Sequence, residues 1–234
     1  MTSFSEKTNY FTSGAVLLIN KPFGWTSFDV VKKIRFLIKK KFLLKKIKVG
    51  HAGTLDPLAT GLLIICTGKE TKNIVSYQNQ RKIYTGELVL GASTSSYDLE
   101  TEINQTYSID HISKDLIINN ALDFVGEIKQ KPPIFSALKI NGERLYKKAR
   151  RGEVPKVNSR TIYVESFKIT NIEMPKVRFE ITCSKGTYIR SIASDFGKSL
   201  NSGAYLSKLC RTAIGDHKIT NSISIDDFEN LLNS

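Results

Sequence analysis

Gly50-His51-Ala52-Gly53-Thr54-Leu55-Asp56-Pro57-Leu58-Ala59-Thr60-Gly61-Leu62-Leu63 is the stretch on which the reading of this chain turns. It places one acid, one histidine and three glycines in a short irregular segment between two apolar runs. Asp56-Pro57 forces a turn, because the residue before a proline is pushed out of the helical region. The glycines permit backbone shapes that other residues resist, and they leave room for something large to approach. A carboxylate on such a loop, held between strands, is a candidate reactive group.

Outward from this loop the chain alternates strand and helix signals. Residues 15–20 (AVLLIN) read as a buried strand stopped by Lys21-Pro22 and Gly24. Thr26 followed by Asp29 three residues later resembles a capping box, and Val30, Val31, Ile34, Leu37 and Ile38 follow at helical spacing. Residues 62–66 read as a second buried strand and 71–77 as a short helix. Residues 82–90 alternate, with Tyr84, Gly86, Leu88 and Leu90 on one face. Residues 91–111 read as polar loop. Ser113 caps a helix bearing Leu116, Ile117, Leu122, Phe124 and Val125, and Pro132-Pro133 breaks the chain. Residues 142–151 form a basic helix or turn-helix, while 161–172 and 177–183 alternate as a hairpin. Thr187 is expected to cap a helix with Ile189, Ile192, Ala193 and Phe196 inward. Residues 204–214 are extended, and Ser224 with Asp227 opens a last amphipathic helix. Strands outnumber helices and often follow one another, so the expected class is α+β with a mixed, mainly antiparallel sheet.

Composition narrows the function. The chain has 234 residues, 35 Lys plus Arg against 22 Asp plus Glu, and a net charge of +13, which points to a polyanionic partner. The charge is clustered: Lys39, Lys40, Lys41, Lys45, Lys46 and Lys48 crowd one segment, and Lys147, Lys148, Arg150 and Arg151 another. Cys66, Cys183 and Cys210 form no C-x-x-C pair and read as free thiols in apolar contexts, so no metal site is expected. No run approaches the ~18 apolar residues that span a bilayer, and residues 1–12 are polar without a signal-peptide core. The expectation is a cytoplasmic protein with a flexible N-terminus (1–12) and a single domain (13–234). A phosphate-loop reading of residues 61–69 fails: six residues separate the glycines where such a loop has four, and Glu70 stands where Ser or Thr is needed.

The quoted segment resembles the signature G-x-L-D-P-x-A-x-G-x-L of the TruB family of tRNA pseudouridine synthases. Other segments match in the same order over roughly residues 15–215. The resemblance implies the pseudouridine synthase fold, a mixed sheet flanked by helices and loops. It also implies conversion of a T-loop uridine of tRNA to its C-glycoside isomer, with Asp56 as the nucleophile. Ser184-Lys185-Gly186-Thr187-Tyr188-Ile189-Arg190 resembles the family's K-G-T-Y-I-R motif, whose arginine, here Arg190, pairs with the catalytic aspartate. Tyr84 matches the tyrosine that stacks on the target base, and Leu209 a leucine lining the base pocket. His51 is placed against RNA, in the gap left by the everted uridine, and Tyr188 beside the pocket. Lys21, of the K-P element, touches tRNA phosphates or structures the loop. One departure stands out: where relatives carry a T-D-T-x-D stretch, this chain reads Thr94-Ser95-Ser96-Tyr97-Asp98, so Ser95 replaces the first acid.

The reaction breaks a C–N bond and makes a C–C bond within one molecule, so no cofactor or metal is called for. The partner implied is the T-arm of tRNA, with no membrane and no obligate protein partner, for a monomer ending at Ser234 without a PUA domain. Whether Asp56 attacks the sugar or the base ring is open. Two rival readings are an RNA chaperone that folds the tRNA elbow without chemistry, and a guide-directed relative that works with protein partners.

Overall fold

The computed structural model describes residues 4–140, 142–153 and 155–234. The chain runs α1 (Phe4–Ser13), β1 (Val16–Lys21), α2 (Ser27–Lys41), β2 (Val49–His51) and β3 (Thr60–Thr67). A 3-10 turn (Gly68–Asn73) then leads into α3 (Ile74–Asn79), β4 (Lys82–Leu90), β5 (Ala92–Thr94), β6 (Ile103–Thr106) and α4 (Lys114–Leu122). Next come β7 (Gly126–Gln130), β8 (Lys139–Ile140), β9 (Glu143–Arg144), α5 (Leu145–Arg150), β10 (Arg160–Glu173) and β11 (Lys176–Cys183). The chain closes with α6 (Ile189–Ser199), β12 (Ala204–Ile214), β13 (His217–Lys218) and α7 (Ile225–Asn233). It divides into two compact units, one of residues 1–84 and 210–234, the other of residues 85–209.

In the first unit the strand order is β1-β3-β12-β4, with β2 also on β3 and β13 on β12. β1 and β3 are antiparallel, Val16 opposite Cys66 and Lys21 opposite Gly61, whereas β12 joins β3 in parallel at Arg211 and Gly61. The sheet is therefore mixed and mainly antiparallel, as the pattern predicts. β3 is apolar at every turn of its pleat because both its faces are covered. Leu63 and Ile65 pack with Ile34, Ile38, Phe42 and Phe228, from α2 and α7 and the turn after α2. Leu62, Ile64 and Cys66 pack with Ala52 and Ile214 on the other face. Each such side chain contributes about 1.5–3 kcal/mol on leaving water.

α2 starts where its sequence says. The Thr26 hydroxyl accepts from the Asp29 N–H at 3.1 Å, and the Asp29 carboxylate accepts from the Thr26 N–H at 3.1 Å. Ser224 and Asp227 repeat the arrangement at α7. Residues 4–12, expected within a flexible terminus, lie in α1 instead. The buried Phe11 holds that helix down, 5.7 Å from Phe42 and 6.1 Å from Phe228 between ring centres.

In the second unit the order is β12-β4-β11-β10-β7, with small hairpins β5-β6 and β8-β9. The β10-β11 pair is the expected antiparallel hairpin, with bulges near Val164 and Ile169. Its core is aromatic: Phe167 lies 5.8 Å from Phe179, 5.4 Å from Phe196 and 6.2 Å from Phe124. Two expectations fail here. Part of the stretch read as loop, 91–111, forms the β5-β6 hairpin, whose second strand is exposed throughout and so carries no apolar alternation to read. Thr187 does not cap α6: its hydroxyl donates to the Ser184 carbonyl, and Tyr188 is the N-cap residue.

Candidate active site

The loop between β2 and β3 carries Asp56, and every carbonyl from residue 53 to residue 57 meets a donor. The Arg211 guanidinium donates to Gly53 at 3.1 Å and reaches Thr54 at 3.5 Å. The Ser27 hydroxyl donates to Leu55 at 3.2 Å while accepting the Leu55 N–H at 2.8 Å. The Ala59 N–H closes the Asp-Pro turn onto the Asp56 carbonyl at 3.1 Å. The Pro57 carbonyl takes the Gly24 N–H at 2.9 Å and the Lys21 ammonium at 3.2 Å. Five neighbouring carbonyls fixed this way leave the backbone of Asp56 little freedom, and its side chain stands half-buried at the surface of the unit.

Two of these donors are fully buried cations. Arg211 is 1% exposed and also donates to the Leu62 carbonyl at 2.8 Å. Lys21 is 0% exposed, its ammonium donating to the carbonyls of Pro22 at 2.9 Å and Trp25 at 2.6 Å besides Pro57. Of the two roles open to Lys21, contact with tRNA phosphates is therefore corrected: an ammonium enclosed by three carbonyls structures the loop. Burial lowers its pKa to about 8; the Asp56 carboxylate pulls the other way, and Arg211 adds to the lowering. Burial, with the Arg211 charge adding to it, also lowers the pKa of the half-buried His51 on β2, so the neutral imidazole is favoured. Tyr84, third in β4, faces inward at 8% exposure.

The second unit holds Tyr188, Arg190 and Leu209. Buried Gln130, at the end of β7, brackets the Tyr188 backbone: its carbonyl oxygen accepts the Tyr188 N–H at 2.8 Å, and its amide donates to the Tyr188 carbonyl at 3.0 Å. The Ser191 hydroxyl donates to Lys131 at 2.9 Å. This side-chain amide supplies what no α6 capping side chain does. The Arg160 guanidinium lies 4.6 Å from the Tyr188 ring centre. Arg190, in the first turn of α6 and 2% exposed, donates to the carbonyls of Ser96 at 3.2 Å and Phe135 at 3.0 Å. It also lies 3.4 Å from the Asp98 carboxylate, which is itself 4% exposed. Asp98 is held by its neighbours: its carboxylate accepts the Glu100 N–H, and its carbonyl accepts the Thr94 and Ser96 hydroxyls. The acid that remains in the departing stretch is thus the one beside Arg190, and Ser95, which is exposed, stands outside that pair. Leu209 is half-buried on β12, two residues before Arg211.

The first unit thus contains Lys21, His51, Asp56 and Tyr84, with Lys21 near Asp56, and the second Tyr188, Arg190 and Leu209. Arg211, Ser27 and Gln130 escaped the sequence reading. Arg211 did leave a trace, a lone arginine in the apolar run 209–214. No group of His, Cys, Asp and Glu able to hold a metal exists among the described residues. Cys66 and Cys183 are buried free thiols and Cys210 is half-buried. No described helix is long and apolar enough to cross a membrane.

A half-buried carboxylate on an immobilised loop, beside buried positive charge, suits an enzyme that uses an acid as nucleophile or base. Residues 39–189 match the family model "TruB family pseudouridylate synthase (N terminal domain)", and the chain belongs to that family. It is 55% identical over 223 residues to a tRNA pseudouridine synthase B of Flavobacterium johnsoniae, covering 95% of this chain and 97% of that protein. A protein of the same name from Phocaeicola vulgatus is 48% identical, with 93% of each chain covered. Among solved structures, a Cbf5-Nop10-Gar1 complex matches with a TM-score of 0.69 at 28% identity, over 94% of this chain. An H/ACA RNP bound to a substrate RNA containing 2'-deoxyuridine matches with a TM-score of 0.69 at 26% identity, over 97%. The chain spans only 55% and 56% of those two solved chains.

Proposed function

We propose that this protein isomerises a T-loop uridine of tRNA to pseudouridine, working alone in the cytoplasm on the T-arm. The observation that carries the reading is Asp56 on a loop whose flanking carbonyls are all clamped, in a chain 55% identical to a tRNA pseudouridine synthase B. The reaction breaks the bond from the sugar to the ring nitrogen and joins the sugar to a ring carbon. That carbon loses its proton and the freed nitrogen gains one, so composition is unchanged and no redox partner enters. The uridine must first leave its stack at a cost of a few kcal/mol.

In this reading Asp56 attacks the everted nucleotide or takes its proton, and Arg190 carries the role of the motif arginine that orients it. Tyr84 stacks on the base, a contact worth roughly 1–3 kcal/mol. Tyr188 and Leu209 line the pocket, and His51 fills the space the base vacates. The guanidinium of Arg190 suits the task because Ser96, Phe135 and Asp98 hold it in one orientation. The experiment is Asp56→Asn, which keeps size and removes charge. Pseudouridine in T-arm RNA is expected to fall below detection while binding persists; near-normal product rejects the mechanism. Release of tritium from 5-tritiated uridine separates the enzyme from a chaperone, which releases none.

The likeness to H/ACA complexes supports a second reading, in which a guide RNA and partner proteins select the uridine. Conversion of bare T-arm RNA without a guide decides against it.

A further inference from the structure

The outer face of α2 offers a feature the catalytic reading leaves unused. Between Val30 and Leu55 the chain has nine Lys or Arg residues and no Asp or Glu. The apolar face of α2, Val30, Val31, Ile34, Leu37 and Ile38, is buried in the core, so the charge lies on the faces that remain. Phe28, Lys32, Phe36 and Lys40 follow one another at four-residue intervals and share one stripe of the helix, about 6 Å between neighbours along the axis. The two rings are exposed, Phe28 at 54% and Phe36 at 57%. Each has an ammonium over it, Lys32 at 4.8 Å from the Phe28 ring centre and Lys40 at 6.0 Å from that of Phe36. Beside the stripe is a groove of about 590 Å³ lined by Lys32, Arg35, Phe36, Lys39, Lys40 and Leu43. Leu43 is 87% exposed and held at a φ of 52°.

We infer that this face binds an unpaired stretch of RNA, with bases against the exposed rings and phosphates against the flanking ammonium groups. Alternation of aromatic platforms and cations at short regular steps is the pattern that single strands recognise. Charge complementarity excludes an acceptor of positive charge, since every charged side chain lining the groove is cationic. An anionic bilayer is the weaker occupant: the helix has already spent its apolar face on the core and offers only scattered rings for insertion. The face is also a separate one. Ser27, which touches the Asp56 loop through Leu55, is nine residues from Phe36 and thirteen from Lys40. At 1.5 Å per residue those are about 14 and 20 Å along the helix, beyond what one everted nucleotide covers. The contact therefore requires RNA beyond the everted nucleotide, and an unpaired stretch supplies the free bases that a paired stem withholds from the rings. The inference rests on RNA being the substrate and on nothing else in the functional reading.

The test compares a bare T-arm hairpin with the same hairpin carrying an unpaired extension of about ten nucleotides. Binding is followed by fluorescence anisotropy across a salt series. The wild type is expected to bind the extended RNA about tenfold tighter than the bare hairpin. The variant Phe36→Ala/Lys39→Gln/Lys40→Gln is expected to lose that gain. Its log–log salt slope falls by about 1.4 on the extended RNA, at roughly 0.7 per single-strand phosphate contact. Turnover on the bare hairpin and the melting temperature stay at wild-type values, because the three side chains are solvent-facing or lie off the site. An extension that adds nothing to wild-type affinity overturns the inference, as does a variant that keeps the full gain. So does a variant whose only loss is binding to phosphatidylserine-containing vesicles. A wild type that grips the extension but converts no uridine sinks the catalytic reading and leaves this one standing.

Discussion

Replacing Arg211 by Met removes the guanidinium that ties the Asp56 loop to the sheet and keeps most of the volume. The guanidinium donates to the Leu62 carbonyl at 2.8 Å and to Gly53 at 3.1 Å, with Thr54 more distant at 3.5 Å. Two carbonyls lose their donor, at about 1–3 kcal/mol each for a buried group left unpaired. Part of this is offset, because a desolvated charge also disappears. The net expectation is a loss of about 3 kcal/mol. For a chain of this length that lowers the melting temperature by roughly 6–12 °C. The functional loss is separate. Of the freed carbonyls that of Gly53 lies three residues before Asp56, and a displacement of about 1 Å at a reacting group costs on the order of a hundredfold in turnover. The assays are thermal unfolding by circular dichroism and pseudouridine formation at a temperature where both proteins are folded. A variant that melts within a degree of the wild type refutes the clamp. One that is destabilised but turns over normally when folded refutes its link to Asp56.

Asp98→Asn leaves Arg190 buried without the carboxylate 3.4 Å away, and a stability loss of about 3 kcal/mol with a fall in turnover of about tenfold or more is expected from denaturant titration and single-turnover kinetics. Gly61→Ala sets a Cβ 2.4 Å from the Arg211 carbonyl oxygen at a φ of 107°, so urea unfolding should register a loss of at least about 2 kcal/mol. Activity should decline as pH rises through about 8, where Lys21 loses its proton and the positive charge near Asp56; Lys21→Arg should move that limb upward in a profile of kcat/KM. The effect on stability has the opposite sign. The folded-state pKa lies below the ordinary 10.5, so between about 8 and 10.5 the unfolded chain binds more protons and this group's contribution to stability rises with pH. A melting temperature that drops through that window more in the wild type than in Lys21→Met contradicts this assignment.

Much was legible because it is local. The Thr26 and Ser224 capping boxes each need only four residues, and both form as read. The alternation of residues 82–90 gives β4 its inward Tyr84, and the uninterrupted apolar run of β3 announces a strand covered on both faces. Where local signals were absent the reading failed. The exposed strand β6 has no alternation to show, and α1 is held through Phe11 against rings 31 and 217 residues further on. The turn at Asp56 was legible because Gly, Asp and Pro at fixed spacing state their own backbone geometry.

The sequence by itself determined the main strands, the capped starts of α2 and α7 and the position of the loop that carries Asp56, since propensity, capping and turn chemistry act over a few residues. Tertiary structure decided what immobilises that loop. Lys21, Ser27 and Arg211 converge on carbonyls 53–57 from β1, α2 and β12, the last of them about 150 residues away in sequence from the Leu62 carbonyl it also holds. A buried cation has no local signature. What makes it necessary is a set of orphan carbonyls elsewhere in the chain, and these come together only when the strands pair.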